Sequence, residues 1–185
     1  AADKVNMPAR ILPPPPAQLT DAVKPFVKIP AGKIAIVNVR VIDGTGAPAQ
    51  ENRTVLLDGA KVAVIEAGAT PPPGHTTIDG TGMTLIPGLI GMHDHQYYIA
   101  RPNLTADGHS HDPLLVPQMT FSSPKMYLAA GVTTLRTTGS VETYADLNMK
   151  RAIDEGRLAG PHMDVTGPYL EGQGSPFIQM HQIAT

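Results

Sequence analysis

Two histidines one residue apart, His93 and His95, carry the strongest chemical signal in this chain. If Leu89 to His95 is a β-strand, side chains alternate between its faces, so both imidazoles leave one face and Asp94 the other. Their Cα atoms then lie about 6.6 Å apart, a spacing from which both rings reach one divalent ion at roughly 2.0–2.1 Å. The loop that follows sets the pair at the carboxyl end of the strand, where parallel α/β sheets and barrels bind ligands. Gln96, Tyr97 and Tyr98 come next in the chain and are candidate substrate contacts, with packing under the loop as the alternative for either tyrosine. Arg136, at the end of a later strand, can orient a substrate carboxylate bidentately or pair with a structural acid.

The remaining histidines read differently. His109-Ser110-His111 repeats the spacing in a polar segment with no strand around it, which reads as a solvated loop. His162 stands at the amino end of a strand, away from the expected site; His181 falls in a loop after that strand, where it can face substrate; His75 lies in a Pro-Gly turn and reads as inert. The chain has no Cys, which leaves no thiolate nucleophile, disulfide or Cys-ligated zinc and assigns any metal chemistry to histidines and carboxylates. Gly44, Gly46, Gly80 and Gly82 form no phosphate loop, since no G-x-x-x-x-G-K follows and the turns join strands.

The elements that must position these residues fall into three stretches. Residues 1–33, with Pro13 to Pro16 consecutive and Pro25 and Pro30 following, read as an extended proline-rich arm, partly polyproline II. Residues 34–86 read as a small β-module, with β-branched runs at Ile34 to Ile42, Thr54 to Leu57, Lys61 to Glu66, Thr76 to Ile78 and Met83 to Ile86. Asp43-Gly44, Asp58-Gly59 and the Pro71 to Gly74 loop punctuate them. From residue 87 to 185 strands alternate with helices. Ser123-Pro124 reads as an N-cap and first helical residue, with Gly131 past the helix end. A strand follows at Val132 to Arg136, then a helix whose Ala145, Met149, Ala152 and Ile153 fall at i, i+4, i+7 and i+8 before Gly156. Met163 to Val165 is the next short strand, and the alternation argues for parallel βαβ units. Such a unit takes about 30 residues and an eight-unit barrel about 250, so this stretch supplies about three units of a larger domain.

The 185 residues are 42% hydrophobic and 16% charged, enough apolar content to fill a core. Fourteen Lys plus Arg stand against 16 Asp plus Glu, a net charge of -2 with no run of like charges, which disfavours nucleic acid and anionic membranes as partners. No stretch approaches the roughly 20 apolar residues of a spanning helix. The start Ala1-Ala2-Asp3 fits a processed amino terminus, so a periplasmic or secreted location is expected, with the cytoplasm as the alternative if the start is trimmed.

Pro87-Gly88-Leu89-Ile90 with His93 and His95 resembles the P-G-x-[IL]-D-x-H-x-H segment of the amidohydrolase superfamily. The resemblance extends to Val37–Gly46, to Ile78-Asp79-Gly80-Thr81-Gly82, to Ala130-Gly131-Val132-Thr133-Thr134-Leu135-Arg136, and to Gly160-Pro161 and Val165-Thr166-Gly167, and it favours the imidazolonepropionase-like and prolidase-like branch. It implies an α/β fold: an amidohydrolase-type (β/α)8 TIM barrel, present here as about three units and preceded by part of a β-sandwich. It implies that His93 and His95 ligate a divalent metal, zinc, as one or two ions. It implies hydrolysis of an amide-type C–N bond in a peptide-like, N-acyl amino acid or lactam substrate. A heterocycle deaminase on the same scaffold and a non-catalytic partner-binding fragment are the alternatives. The family's other ligands and its catalytic aspartate would lie beyond Thr185, so no catalytic residue is assigned here and the chain alone is expected to be inactive. The implied partners are a small-molecule amide, the remainder of the same barrel on this or a separate chain, and further copies in a homo-oligomer. Two positions depart from the pattern: Gly91 replaces an acid, which Asp94 on the other face is not expected to supply, and Thr137 replaces another.

Overall fold

β-branched residues on alternate positions build a first sheet. In the computed structural model, which describes residues 18–68, 70–98, 105–107, 109, 122–173 and the backbone of 181–183, all five expected runs are strands. β1 (Lys33–Val41) pairs antiparallel with β2 (Gln50–Asp58), and β2 pairs antiparallel with β3 (Lys61–Ala67). β4 (Thr76–Asp79) and β5 (Thr84–Leu85) run parallel to β1. Alternation along β1 is broken at Asn38, whose φ of 58° is a left-handed conformation that asparagine tolerates. The register slips there, so Ala35 and Val37 bury against Leu56 while Val39 and Val41 join Val55, Ile36 and Leu57 in a separate cluster. The Asn38 amide donates to Asp79 Oδ1 at 3.0 Å and ties the bulge to β4.

Among the described residues this module is one sheet, where two facing layers were expected. The side that carries Val55 and Leu57 is uncovered: Val62 and Ile65 are exposed there and line, with Ile36, Val55, Leu57 and Ile86, an open apolar groove of about 410 Å³.

The second sheet is parallel, in the order β6 (Leu89–Asp94), β7 (Val132–Thr137), β8 (His162–Asp164). The crossovers are α1 (Ser123–Ala129) and α2 (Thr143–Asp154), giving two successive βαβ units. A parallel pair, β9 (Leu170–Gly172) and β10 (His181–Ile183), follows. Tyr97, Leu135, Met149 and Met163 form the core between sheet and helices, with Ala145 and Ile153 of the expected α2 stripe packed against it. Each such aliphatic side chain contributes about 1.5–3 kcal/mol on burial. Asp146 is buried on the same helix, a position the apolar periodicity does not mark.

Two local expectations need correction. Ser122, not Ser123, is the N-cap of α1; Pro124 sits in the first turn, and the Ser123 hydroxyl is drawn away to Gln96. From Gln18 onward the arm is not extended. Pro25 sets a short 3-10 turn at Lys24–Phe26, the Thr20 amide and hydroxyl both donate to the Gly156 carbonyl at 3.1 Å, and the Lys125 ammonium lies 4.5 Å from the Phe26 ring centre. The Pro13 to Pro16 tract lies outside the described residues.

Candidate metal centre

Pairing between β6 and β7 decides which way the site residues point. Leu135 and Thr137 are fully buried, so Arg136 between them faces away from the helices. Asp94 is in register with Thr137, on the buried side, which leaves His93 on the side of Arg136. The rings of His93 and His95 meet edge to face with centres 5.5 Å apart. Two imidazoles sharing one tetrahedral ion at about 2.0–2.1 Å place their ring centres roughly 5 Å apart, so the observed pair fits two corners of one metal site.

Gly91 pairs with Leu135 and Asp94 with Thr137, three residues on β6 spanning two on β7. The slip puts residues 91 and 94 on the same side, against the expectation from regular alternation. A Cβ at Gly91 would stand 1.7 Å from Asp94 Oδ2. Asp94 therefore occupies the space of a residue-91 side chain, and an acid reaches that side of the strand from three residues downstream. Its Oδ2 is buried without a hydrogen-bond partner.

His95 is held on several sides. Its Nε2 lies 3.2 Å from the Tyr169 hydroxyl, its ring centre is 4.7 Å from that of Tyr98, and its backbone carbonyl accepts from the Tyr127 hydroxyl at 3.4 Å. Nδ1 is buried and makes no hydrogen bond. Burial pushes the His95 pKa below the ordinary imidazole value; the Gly139 backbone opposes the shift, His93 adds to it, and the Asp94 charge opposes it. The ring is thus neutral at pH 7, the form a metal requires. Burial and neighbouring Tyr98 raise the Tyr169 phenol above its usual range, so it stays protonated.

The other expected contacts separate. Tyr97, 2% exposed, belongs to the core with Leu135 and Met163 and not to a substrate surface. Gln96 is also buried, its Oε1 accepting from the Ser123 hydroxyl at 2.6 Å, and it fixes the segment after the histidines to α1. Tyr98 lies against His95. Arg136 is half-exposed and only 4.0 Å from Asp164 Oδ2. Thr137 forms a cross-strand staple in place of the absent acid: its hydroxyl accepts from the Thr166 amide at 2.8 Å.

His109 sits exposed in a turn, 3.8 Å from Asp107, as a solvated loop should; His111 lies outside the described residues. His75 Nδ1 faces the Pro72 carbonyl at 3.2 Å, His162 begins β8, and the backbone of His181 begins β10. Among the described residues no three His, Cys, Asp or Glu side chains converge as a complete metal site. Tyr169 was not legible in the sequence: it meets His95 across 74 residues, and no local pattern records such a contact.

No protein-family model matches the chain, and no curated protein does. Solved structures do. A protein from Bifidobacterium longum assigned as a prolidase shares 23% identity over 84% of this chain and 35% of its own, with a TM-score of 0.59. A Xaa-Pro dipeptidase with bound methionine in the active site shares 23% over 75% of this chain and 34% of its own, at 0.60. Phenylurea hydrolase B shares 24% over 80% of this chain and 33% of its own, at 0.57. The chain spans about a third of the length of these structures. The likeness is one of fold alone, a mixed α/β arrangement shared with part of each of those chains.

Proposed function

We propose that this chain supplies the first metal-ligating strand, β6, and the next two strands of a metal-dependent hydrolase of amide-type C–N bonds. The observation that carries this reading is the pair of imidazoles, His93 and His95, converging on one side of a parallel strand at its carboxyl end. The fold shared with a Xaa-Pro dipeptidase and a phenylurea hydrolase supports the bond class. Zinc suits an imidazole pair, and the further ligands it needs come from outside the described residues. When bound, the ion supplies Lewis acidity toward a carbonyl and makes water a stronger acid.

The chain's own residues prepare that site. Tyr98 and Tyr169 limit rotation of the His95 ring, and the buried Gln96 to Ser123 bond fixes the turn behind it. Arg136 shares the face of His93 and, only weakly engaged by Asp164, is placed to take a substrate carboxylate, which favours peptide-like and N-acyl amino acid substrates. The rest of the intact protein completes the barrel and covers the open face of the first sheet as the second layer of a sandwich.

The test is made on the intact protein. His93→Ala with His95→Ala should lower bound zinc, measured by elemental analysis, to background and cut hydrolysis of dipeptides and N-acyl amino acids by more than about a hundredfold, beyond what loss of an outer partner costs. Undiminished zinc in the double variant sinks the assignment. Arg136→Ala should raise KM for carboxylate-bearing amides with little change for uncharged ones.

A further inference from the structure

We propose that Tyr169 is a positioning residue for metal entry. In the metal-free protein its hydroxyl holds His95 in the tautomer that binds an ion and occupies the space that the ion takes. The inference rests on the metal-site reading above and deepens it. The Tyr169 oxygen is 3.2 Å from His95 Nε2. A phenol O–H is a better donor than a neutral imidazole N–H, and it is a weaker acid than imidazolium, so the phenol donates without losing its proton, Nε2 accepts, and the ring proton is left on Nδ1. Nε2 thereby keeps its lone pair for a metal.

The contact follows from how Tyr169 is seated. The Ser140 amide donates to the Gly167 carbonyl at 3.0 Å, and Ser140 pairs with Pro168 in an isolated bridge. The Gly139 amide donates to Thr166 Oγ1 at 2.9 Å. A Cβ at Gly139 would come within 2.3 Å of the Tyr169 ring, so only glycine leaves the ring this seat. The loop after β7 and the loop after β8 thus form one platform that aims the hydroxyl at His95. An ion bound to Nε2 at about 2.0–2.1 Å falls in the space that hydroxyl fills, so metal entry must break the bond and turn the hydroxyl aside.

Two readouts on the intact, metal-stripped protein test this. In zinc titrations against a competing chelator, Tyr169→Phe should bind zinc about threefold to tenfold more tightly than wild type, the worth of one neutral hydrogen bond no longer broken on entry. In 15N-histidine NMR, metal-free wild type should show a single Nδ1–H tautomer at His95, and Tyr169→Phe a tautomer mixture. Gly139→Ala, which keeps the hydroxyl but drives the ring from its seat, should move both readouts the same way and serves if the phenylalanine variant folds poorly. Unchanged or weaker zinc binding in the variants overturns the proposal, as does an unchanged tautomer. Zinc bound equally well by the His93→Ala/His95→Ala protein would sink the metal reading itself, and the NMR readout would still report on the Tyr169–His95 bond.

Discussion

Gly91 and Asp94 act as one side chain divided between two positions: one residue gives the space and the other the carboxylate. Adding a methyl group at 91 therefore overpacks a site already filled by Asp94. Gly91→Ala should destabilise the intact protein by about 1–3 kcal/mol, measured by urea unfolding. Asp94→Ala in that background should recover much of the loss, with a coupling energy of about 0.5–3 kcal/mol between the positions. Independent, additive effects would show that the carboxylate does not stand where residue 91 would project. The closeness of the His93 and His95 rings was legible because residues two apart share a face wherever the strand does not slip between them. The Gly91–Asp94 exchange was not, because reading faces from alternation assumes a strand without a slip, and only the partner strand reveals one. Tyr97 and Tyr98 were indistinguishable for a related reason: adjacent identical residues differ only in which is turned under the loop.

At the scale of elements, α2 shows a composite role. Its apolar stripe seats it on the sheet, while Asp146, buried on the first turn, accepts a hydrogen bond from the Ser140 hydroxyl and fixes the loop that supports Tyr169. Burial pushes the Asp146 pKa above its ordinary value, the Ser140 hydroxyl pulls it down, and the Glu142 charge raises it further. The folded state then holds this proton more tightly than the unfolded chain, so stabilisation is present in acid and is lost as pH rises past the ordinary carboxylate value of 3.8 toward the raised one. Asp146→Asn keeps an acceptor for Ser140 and removes the titration. Its melting temperature should match wild type near about pH 4 and exceed it near about pH 7; a constant difference across that range would count against a raised pKa. Strands and helices were largely legible, since β-branched runs and the Ala145–Met149–Ala152–Ile153 spacing depend on local chain geometry. The turn and docking of residues 18–33 were not, because proline content records a missing donor and says nothing of a distant acceptor such as the Gly156 carbonyl.

For the whole molecule, the uncovered sheet face is the feature with a measurable cost. Val62 is 62% exposed beside Ile65 on the wall of the apolar groove. Expressed alone, residues 1–185 should bind a hydrophobic dye, and Val62→Lys with Ile65→Lys should reduce that binding. In the intact protein the same pair should lower the melting temperature if a second layer covers the face; an unchanged melting point would show that nothing packs there. The Thr20 to Gly156 contact has a mechanical consequence. The first sheet leaves the α/β layer through the Pro87 segment and is also moored to it upstream, where Thr20 bonds the Gly156 carbonyl just past α2 and Phe26 lies against Lys125 of α1. A body joined at one point swings freely, whereas a body joined at two can turn only about the line between them. The amino-terminal stretch therefore works as a stay, removing a degree of freedom between the two sheets and steadying Pro87 and Gly88, through which β6 and its histidines are delivered.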